Sequence, residues 1–373
     1  MAKLTKAIAS FLALASFTAA APVAETTPSD VYPDGFPNPN ADQLKQISIQ
    51  ADGLLSNAPP PPKLNASTLQ SFQAIAFNEE FEVAFFTSLL YNVTNKYAGY
   101  ESWHGHSQSS REKILKVVIA QEELHAINAK NVLTHFNQLA PEPCKYHFPT
   151  TNIKDAFALA QTFTALVLGT LQDVSQAAAA SGDAGVVRAV ASVIGQEGEQ
   201  DGFYRIMLGR VPSQKPFLTT SVGPFLFSWL NNNFIVPNSC PFDVNALKIP
   251  IFSQLSVGGV STGLNVDAKD QTLKFSTDLS KTEAAEKYYG GDGKGLFITY
   301  FSGQLVPFSV PISSVSWTKD HQISFEANFP YTENVMDGLS IAALTIGNGF
   351  TNPDAVPAAT LAAPALIQVN DSL

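Results

Sequence analysis

The sequence predicts an α+β chain with two folded parts: an antiparallel four-helix bundle over residues 65–210 and a β-sandwich over residues 240–373. Three observations predict it. The chain has 373 residues, too many for one ordinary core. Between residues 69 and 209, apolar residues recur at steps of three and four through four patterns of matched length. After Cys240 the rhythm changes to short alternating runs separated by turn residues. Apolar residues make up 45 % and charged residues 14 %, which is globular rather than disordered composition. The formal net charge of -10 lacks the basic footprint of a protein that binds nucleic acid or an anionic membrane.

Residues 1–20 read as a signal peptide. Lys3 and Lys6 precede an apolar run, Ile8 to Ala21, that is too short to span a bilayer. Thr18 and Ala20 are small residues placed for cleavage, giving a mature start near Ala21. No later stretch holds about 18 apolar residues without a break, so no membrane span is expected. The apolar stretch Ala355 to Val369 contains Pro357 and Pro364 and ends in polar residues, a poor lipid-anchor signal. A secreted, extracellular protein agrees with the glycosylation patterns at Asn65, Asn92 and Asn370. It also agrees with the cysteine pair Cys144 and Cys240, which an oxidising compartment favours as a disulfide over two free thiols.

Residues 21–64 form a Pro-rich lead. Pro33, Pro37, Pro39 and the run Pro59 to Pro62 favour extended geometry, with the segment lying along the folded domain or staying mobile. The first helical pattern runs from Leu69 to Tyr97. The second opens with Ser109 and Glu112 at capping-box spacing and stops before Pro141. Asn152 caps the third, which runs to Ala180 and is ended by Gly182. The fourth runs from Asp183 to Gly209, with Pro212 beyond it. A short helix, Pro224 to Phe234, lies in the connecting segment 211–239. Strands are expected at Leu247–Phe252, Leu273–Thr277, Leu296–Phe301, Leu305–Val310, Ile323–Ala327 and Leu339–Ile346, giving a sandwich.

The inward stripes carry the chemistry. Val118, Glu122, His125, Ala129, Val132 and Phe136 share one face of the second helix, and that face is mostly apolar. Glu122 and His125 therefore point inward, and Glu123 is expected in solvent. Glu79 and Glu82 share a face with Phe72, Ile75, Phe86 and Leu90 on the first helix. Glu197 and Gln200 share one with Val190, Val193, Tyr204 and Leu208 on the fourth. All lie near the midpoints of their helices, so an antiparallel bundle brings them to one level. Buried carboxylates need a proton, a partner or a cation. At least three carboxylates and an imidazole suit iron, manganese or zinc better than calcium. A polar network that shares protons is the alternative.

Three segments carry a resemblance: Phe77-Asn78-Glu79-Glu80-Phe81-Glu82-Val83-Ala84-Phe85-Phe86, Gln121-Glu122-Glu123-Leu124-His125-Ala126, and Gly195 to Arg205. They resemble the secreted ferritin-like proteins of fungi, a family associated with stress response and late sexual development. The resemblance spans most of the chain after the signal peptide and implies a ferritin-like bundle with metal ligands in its core. In ferritin-like di-iron proteins a Glu comes from helix one, Glu-x-x-His from helix two, Glu from helix three and Glu-x-x-His from helix four. Glu79, Glu122, His125 and Glu197 match that pattern. Gln200 replaces the fourth-helix His, and the third helix has no carboxylate near Leu166, its inward candidates being Gln161, Thr164 and Leu168, with Asp173 about 10 Å along the axis. Set against that pattern, the chain fits either a single ion, iron or manganese, held by Glu79, Glu122, His125 and Glu197, with Glu82 and Gln200 as possible additional ligands and a degenerate second site, or a relic site.

Two other motifs are weaker. Trp103-His104-Gly105-His106 offers His-x-His in a loop, and Gly290 to Gly295 reads as a hairpin loop without phosphate-loop spacing. The competing function is a non-enzymatic extracellular or cell-wall protein, in which the bundle is structural and the sandwich contacts a glycan or wall partner.

Overall fold

The computed structural model describes residues 33–103 and 105–373. The expected signal peptide and His104 lie outside these residues. Within the Pro-rich lead stands a helix that the prolines obscure: α1, Ala41–Gln50. Asn40 caps it, accepting from the Asp42 and Gln43 N–H groups at 3.0 Å, while the Gln43 side chain accepts from Asn40 N–H at 2.9 Å. Its residue Ile47 is buried, and α1 packs on the outside of the bundle.

The bundle consists of α2 (Ala66–Thr94), α3 (Gln108–His135), α4 (Ile153–Ala180) and α5 (Val187–Met207), with α2 packed on α3 and α4 on α5. Asn152 caps α4 as expected, accepting from Asp155 N–H at 2.9 Å, and Gly182 (φ 81°) follows its end. Two boundaries differ from expectation. Ser107, not Ser109, caps α3 by accepting from Ser110 N–H at 3.2 Å, and Glu112 instead accepts from the Gln108 side chain at 2.8 Å. The last helix begins after a 3-10 turn, Ala184–Val186, rather than at Asp183. Asp183 is a buried acceptor that takes hydrogen bonds from Thr68 Oγ1 (2.6 Å), Asn65 N–H (2.9 Å) and Asn65 Nδ2 (3.0 Å), tying α2 to the α4–α5 turn. By length and composition α4 is apolar enough to cross a membrane, but it is the buried core helix of the bundle.

Helix α6 (Gly223–Asn233) follows, with Pro224 in its first turn. The expected disulfide is present: Cys144 is bonded to Cys240, joining the α3–α4 loop to the segment after α6. At Gly169 on α4 an added methyl would collide with the Thr219 carbonyl, and Ser221 N–H donates to Gly169 O at 3.2 Å. The connecting segment thus lies directly on α4.

The strands are β1 (Leu255–Val257), β2 (Leu264–Asn265), β3 (Gln271–Asp278), β4 (Leu296–Ser302), β5 (Phe308–Pro311), β6 (Ser313–Trp317), β7 (Gln322–Phe329), β8 (Gly338–Ile346) and β9 (Thr360–Val369). They form two sheets, ordered β1-β3-β7-β6 and β2-β9-β8-β4-β5, antiparallel except for β2 beside β9. The stretch Leu247–Phe252 is not a strand. A 3-10 turn ends at Leu247 and Lys248 adopts a left-handed conformation, which breaks the run. The expected strand at Leu305–Val310 starts later, because Leu305 and Val306 are exposed in the turn before β5.

The five-stranded sheet is buried on both faces. Ala342, Leu344, Ala365 and Ile367 face the second sheet, while Leu339, Ile341, Ala343 and Leu366 belong to the core shared with the helices. Phe225 of α6 packs on Phe301 of β4 with ring centroids 5.5 Å apart. Bundle and sandwich are therefore joined by one continuous apolar core.

Candidate metal centre

The helices place the expected residues as their stripes imply. Glu79, Glu122 and Glu197 are fully buried, and His125 keeps 16 % of its side chain exposed. One ligand atom from each of these four residues lies within 4.8 Å of the others. His125 Nδ1 is 2.9 Å from Glu122 Oε2, 3.7 Å from Glu79 Oε2 and 3.8 Å from Glu197 Oε1. Phe86, one heptad after Glu79 on α2, packs its ring 5.7 Å from Tyr204 and 5.8 Å from Phe163.

Residues 66–210 match the ferritin-like domain family. The chain matches none of the curated proteins. The bundle is thus a ferritin-like domain, and the C-terminal sheets follow it.

The ferritin-like domain concentrates negative charge without enough donors. Both carboxylate oxygens of Glu79 and of Glu197, together with Glu122 Oε1 and Glu82 Oε2, have no hydrogen-bond partner. Burial pushes the Glu79 carboxyl up to about 7, with the His125 imidazole 3.7 Å away pulling against it. Burial, and then the neighbouring carboxylates, push Glu82 and Glu197 well above the ordinary range. Burial disfavours the His125 cation, but the hydrogen bond to Glu122 and the charges of Glu122 and Glu79 outweigh it and raise its pKa well above the ordinary value. A centre of this kind binds protons tightly or binds a cation in their place. The orphaned oxygens and the single imidazole fit a divalent or trivalent metal with mixed oxygen and nitrogen ligands.

The two additional ligands stand apart from this group. Glu82 Oε1 accepts from Asn78 Nδ2 at 3.0 Å, so Glu82 adds its charge nearby without joining the four. Gln200 donates to Gln121 Oε1 at 3.3 Å and accepts from the Tyr204 hydroxyl at 3.1 Å. Helix α4 brings no carboxylate to the centre. Gln161 donates to Asp201 (3.2 Å) and accepts from Arg210 (2.9 Å), and Asp173 accepts from Gly223 N–H at the start of α6 (3.1 Å). Thr164 Oγ1 is buried without a partner.

Glu123 corrects the expectation. It is 1 % exposed rather than solvated, because α1 and the segment around Asp34 cover the outer face of α3. Tyr204, expected on the inward face of the last helix, is fully buried there, and Gln121, to which the sequence assigns no role, receives both Gln196 and Gln200. Gln121 stands four residues before His125, one helical turn away, which was the available signal.

The glycosylation patterns sit in different settings. Asn65 Nδ2 donates to Ser181 O and Asp183 Oδ1. Asn370 accepts from Arg205 Nη1 at 2.8 Å and donates to Asn265 at 2.9 Å. Asn92 is half-buried on α2. His106 is exposed beside Trp103, and Gly290 to Gly295 leads from a 3-10 helix into β4 rather than closing a hairpin.

Proposed function

We propose that this is a secreted ferritin-like protein that holds one transition-metal ion, iron or manganese, between Glu79, Glu122, His125 and Glu197. The convergence of those four side chains around unpartnered carboxylate oxygens carries the reading. A single ion is supported by the commitment of Gln200 to Gln121 and Tyr204, and by the lack of a carboxylate from α4. When bound, the ion supplies Lewis acidity and one-electron exchange. The chain's own residues set the conditions. Glu122 orients the imbalanced imidazole through its 2.9 Å contact with Nδ1. The three carboxylates are fully buried in a bundle core that also holds the packed rings of Phe86, Phe163 and Tyr204, and only His125 keeps an edge open to solvent. Loading displaces protons from His125 and Glu79, so affinity rises with pH.

The disulfide supports an oxidising compartment, hence secretion or a place in the cell wall. A role in stress response or sexual development rests on the resemblance of the three helical segments to the fungal family. A glycan or wall contact through the sandwich is supported by Tyr289, stacked 4.0 Å from His321 and 5.6 Å from Trp317 at its rim.

Elemental analysis of the purified protein tests the metal reading. About one equivalent of iron or manganese is expected, and none in a folded His125→Ala variant. A wild type that stays metal-free after incubation with either ion would refute it and favour a purely structural bundle.

A further inference from the structure

The outer side of α3 carries a second polar feature, separate from the metal centre. A cavity of about 340 Å³ opens between the lead segment, α1, α2 and α3. Its floor is apolar and buried, with Ile47, Ile119 and Ala120. Glu123 lines the same cavity, is 1 % exposed, and its Oε1 has no hydrogen-bond partner. Thr87 Oγ1 lines it as well and is likewise unpartnered. Asp34, carried by the lead segment, adds a second carboxyl, and the exposed Lys116 stands at the mouth.

Glu123 Oε1 and the Thr87 hydroxyl reach the cavity unpartnered, beside the Asp34 carboxyl that contacts Glu123 and below the exposed Gln46 and Gln50, so this end favours a ligand that brings hydrogen-bond donors. A metal ion fits poorly. Only two carboxyls face the cavity, and among the described residues three or more metal-ligating groups meet at the Glu79 cluster rather than here. The rest of the floor is hydrocarbon, which a hydrated ion would leave unused. An ammonium group satisfies the polar end with its N–H donors and positive charge, and an alkyl chain covers the apolar floor.

We propose that this cavity binds a small organic cation: a primary alkylammonium whose head group donates to Glu123 Oε1 and Thr87 Oγ1 beside Asp34, and whose chain lies against Ile47, Ile119 and Ala120. The site goes beyond the metal reading and does not depend on it.

Calorimetric titration of the full-length protein, as it is purified, with n-hexylammonium, 1-hexanol and manganese(II) tests it. Hexylammonium should saturate one site, and hexanol should bind at least about tenfold more weakly, a difference of about 1.4 kcal/mol. Glu123→Gln should weaken hexylammonium binding about tenfold. Asp34→Asn, which lies outside the bundle, should also weaken it, and both variants should match the wild type in metal content and helical circular dichroism. Equal binding of alcohol and ammonium would mean an apolar hole without a cation site. Displacement of hexylammonium by manganese(II) in a His125→Ala background would mean a second metal site. Either result, or no saturable binding, overturns the proposal.

Discussion

Glu80 offers a quantitative test of how this bundle tolerates buried acid. It follows Glu79 on α2 but turns away from the metal centre, is 1 % exposed, and neither carboxylate oxygen has a hydrogen-bond partner. Lys130 Nζ lies 3.6 Å from Oε1, yet closer to Glu142 (3.0 Å) and to the Pro37 carbonyl (3.2 Å). Burial therefore dominates and pushes the Glu80 carboxyl from 4.5 up to about 8, with the charge of Lys130 offsetting part of the effect. The folded state holds this proton more tightly than the unfolded chain. The stabilisation it provides is fully present below pH 4.5 and is lost as pH rises through about 8. At about 1.36 kcal/mol per pH unit the whole effect is about 5 kcal/mol, of which about 3.5 kcal/mol falls between pH 5 and pH 8. Glu80→Gln keeps the shape of the neutral acid and does not titrate. Urea unfolding of both proteins at intervals from pH 5 to pH 8, in one metal state, should show wild type losing that amount relative to the variant. A stability difference that stays constant across this range would refute the reasoning.

Three further outcomes are expected from the same equilibrium measurements. Replacing Cys144 and Cys240 together by serine opens a loop with a sequence separation of 96 residues and should cost about 4 to 5 kcal/mol while leaving metal content unchanged. Phe81→Ala, fully buried among Phe85, Tyr146, Phe148, Phe163 and Phe234, should cost about 3 to 5 kcal/mol by urea unfolding. Gly169→Ala drives a methyl into the Thr219 carbonyl and should lower the thermal midpoint, at a cost of about 1 to 3 kcal/mol.

The long helices and the cluster of three carboxylates and one imidazole were legible because a single 3.6-residue period sets both. Glu79, Glu122, His125 and Glu197 each ride an apolar stripe near mid-helix, and antiparallel packing then brings them level. Glu123 was misread because the argument assumes one buried face per helix, whereas α3 has a second, under α1. The helix α1 was itself readable from Asn40 and Gln43, three residues apart, but the prolines around it pointed to extended chain. Strand β9 was missed for a different reason. It is buried along its whole length, so it shows no alternation, and it carries Pro364. That proline falls at the register irregularity between the Ala342–Ala365 and Leu344–Ala362 pairs.

Because β8 and β9 lie between the helices and the outer sheet, the two parts of this chain cannot be separated as independent pieces. A bundle expressed alone would present bare hydrocarbon where Leu339, Ile341 and Leu366 now rest, and an isolated sandwich would present the matching surface. Proteolytic nicking between residues 210 and 240 should therefore leave fragments that remain associated even after the Cys144–Cys240 disulfide is reduced, and refolding either half on its own should yield aggregate rather than a tractable domain.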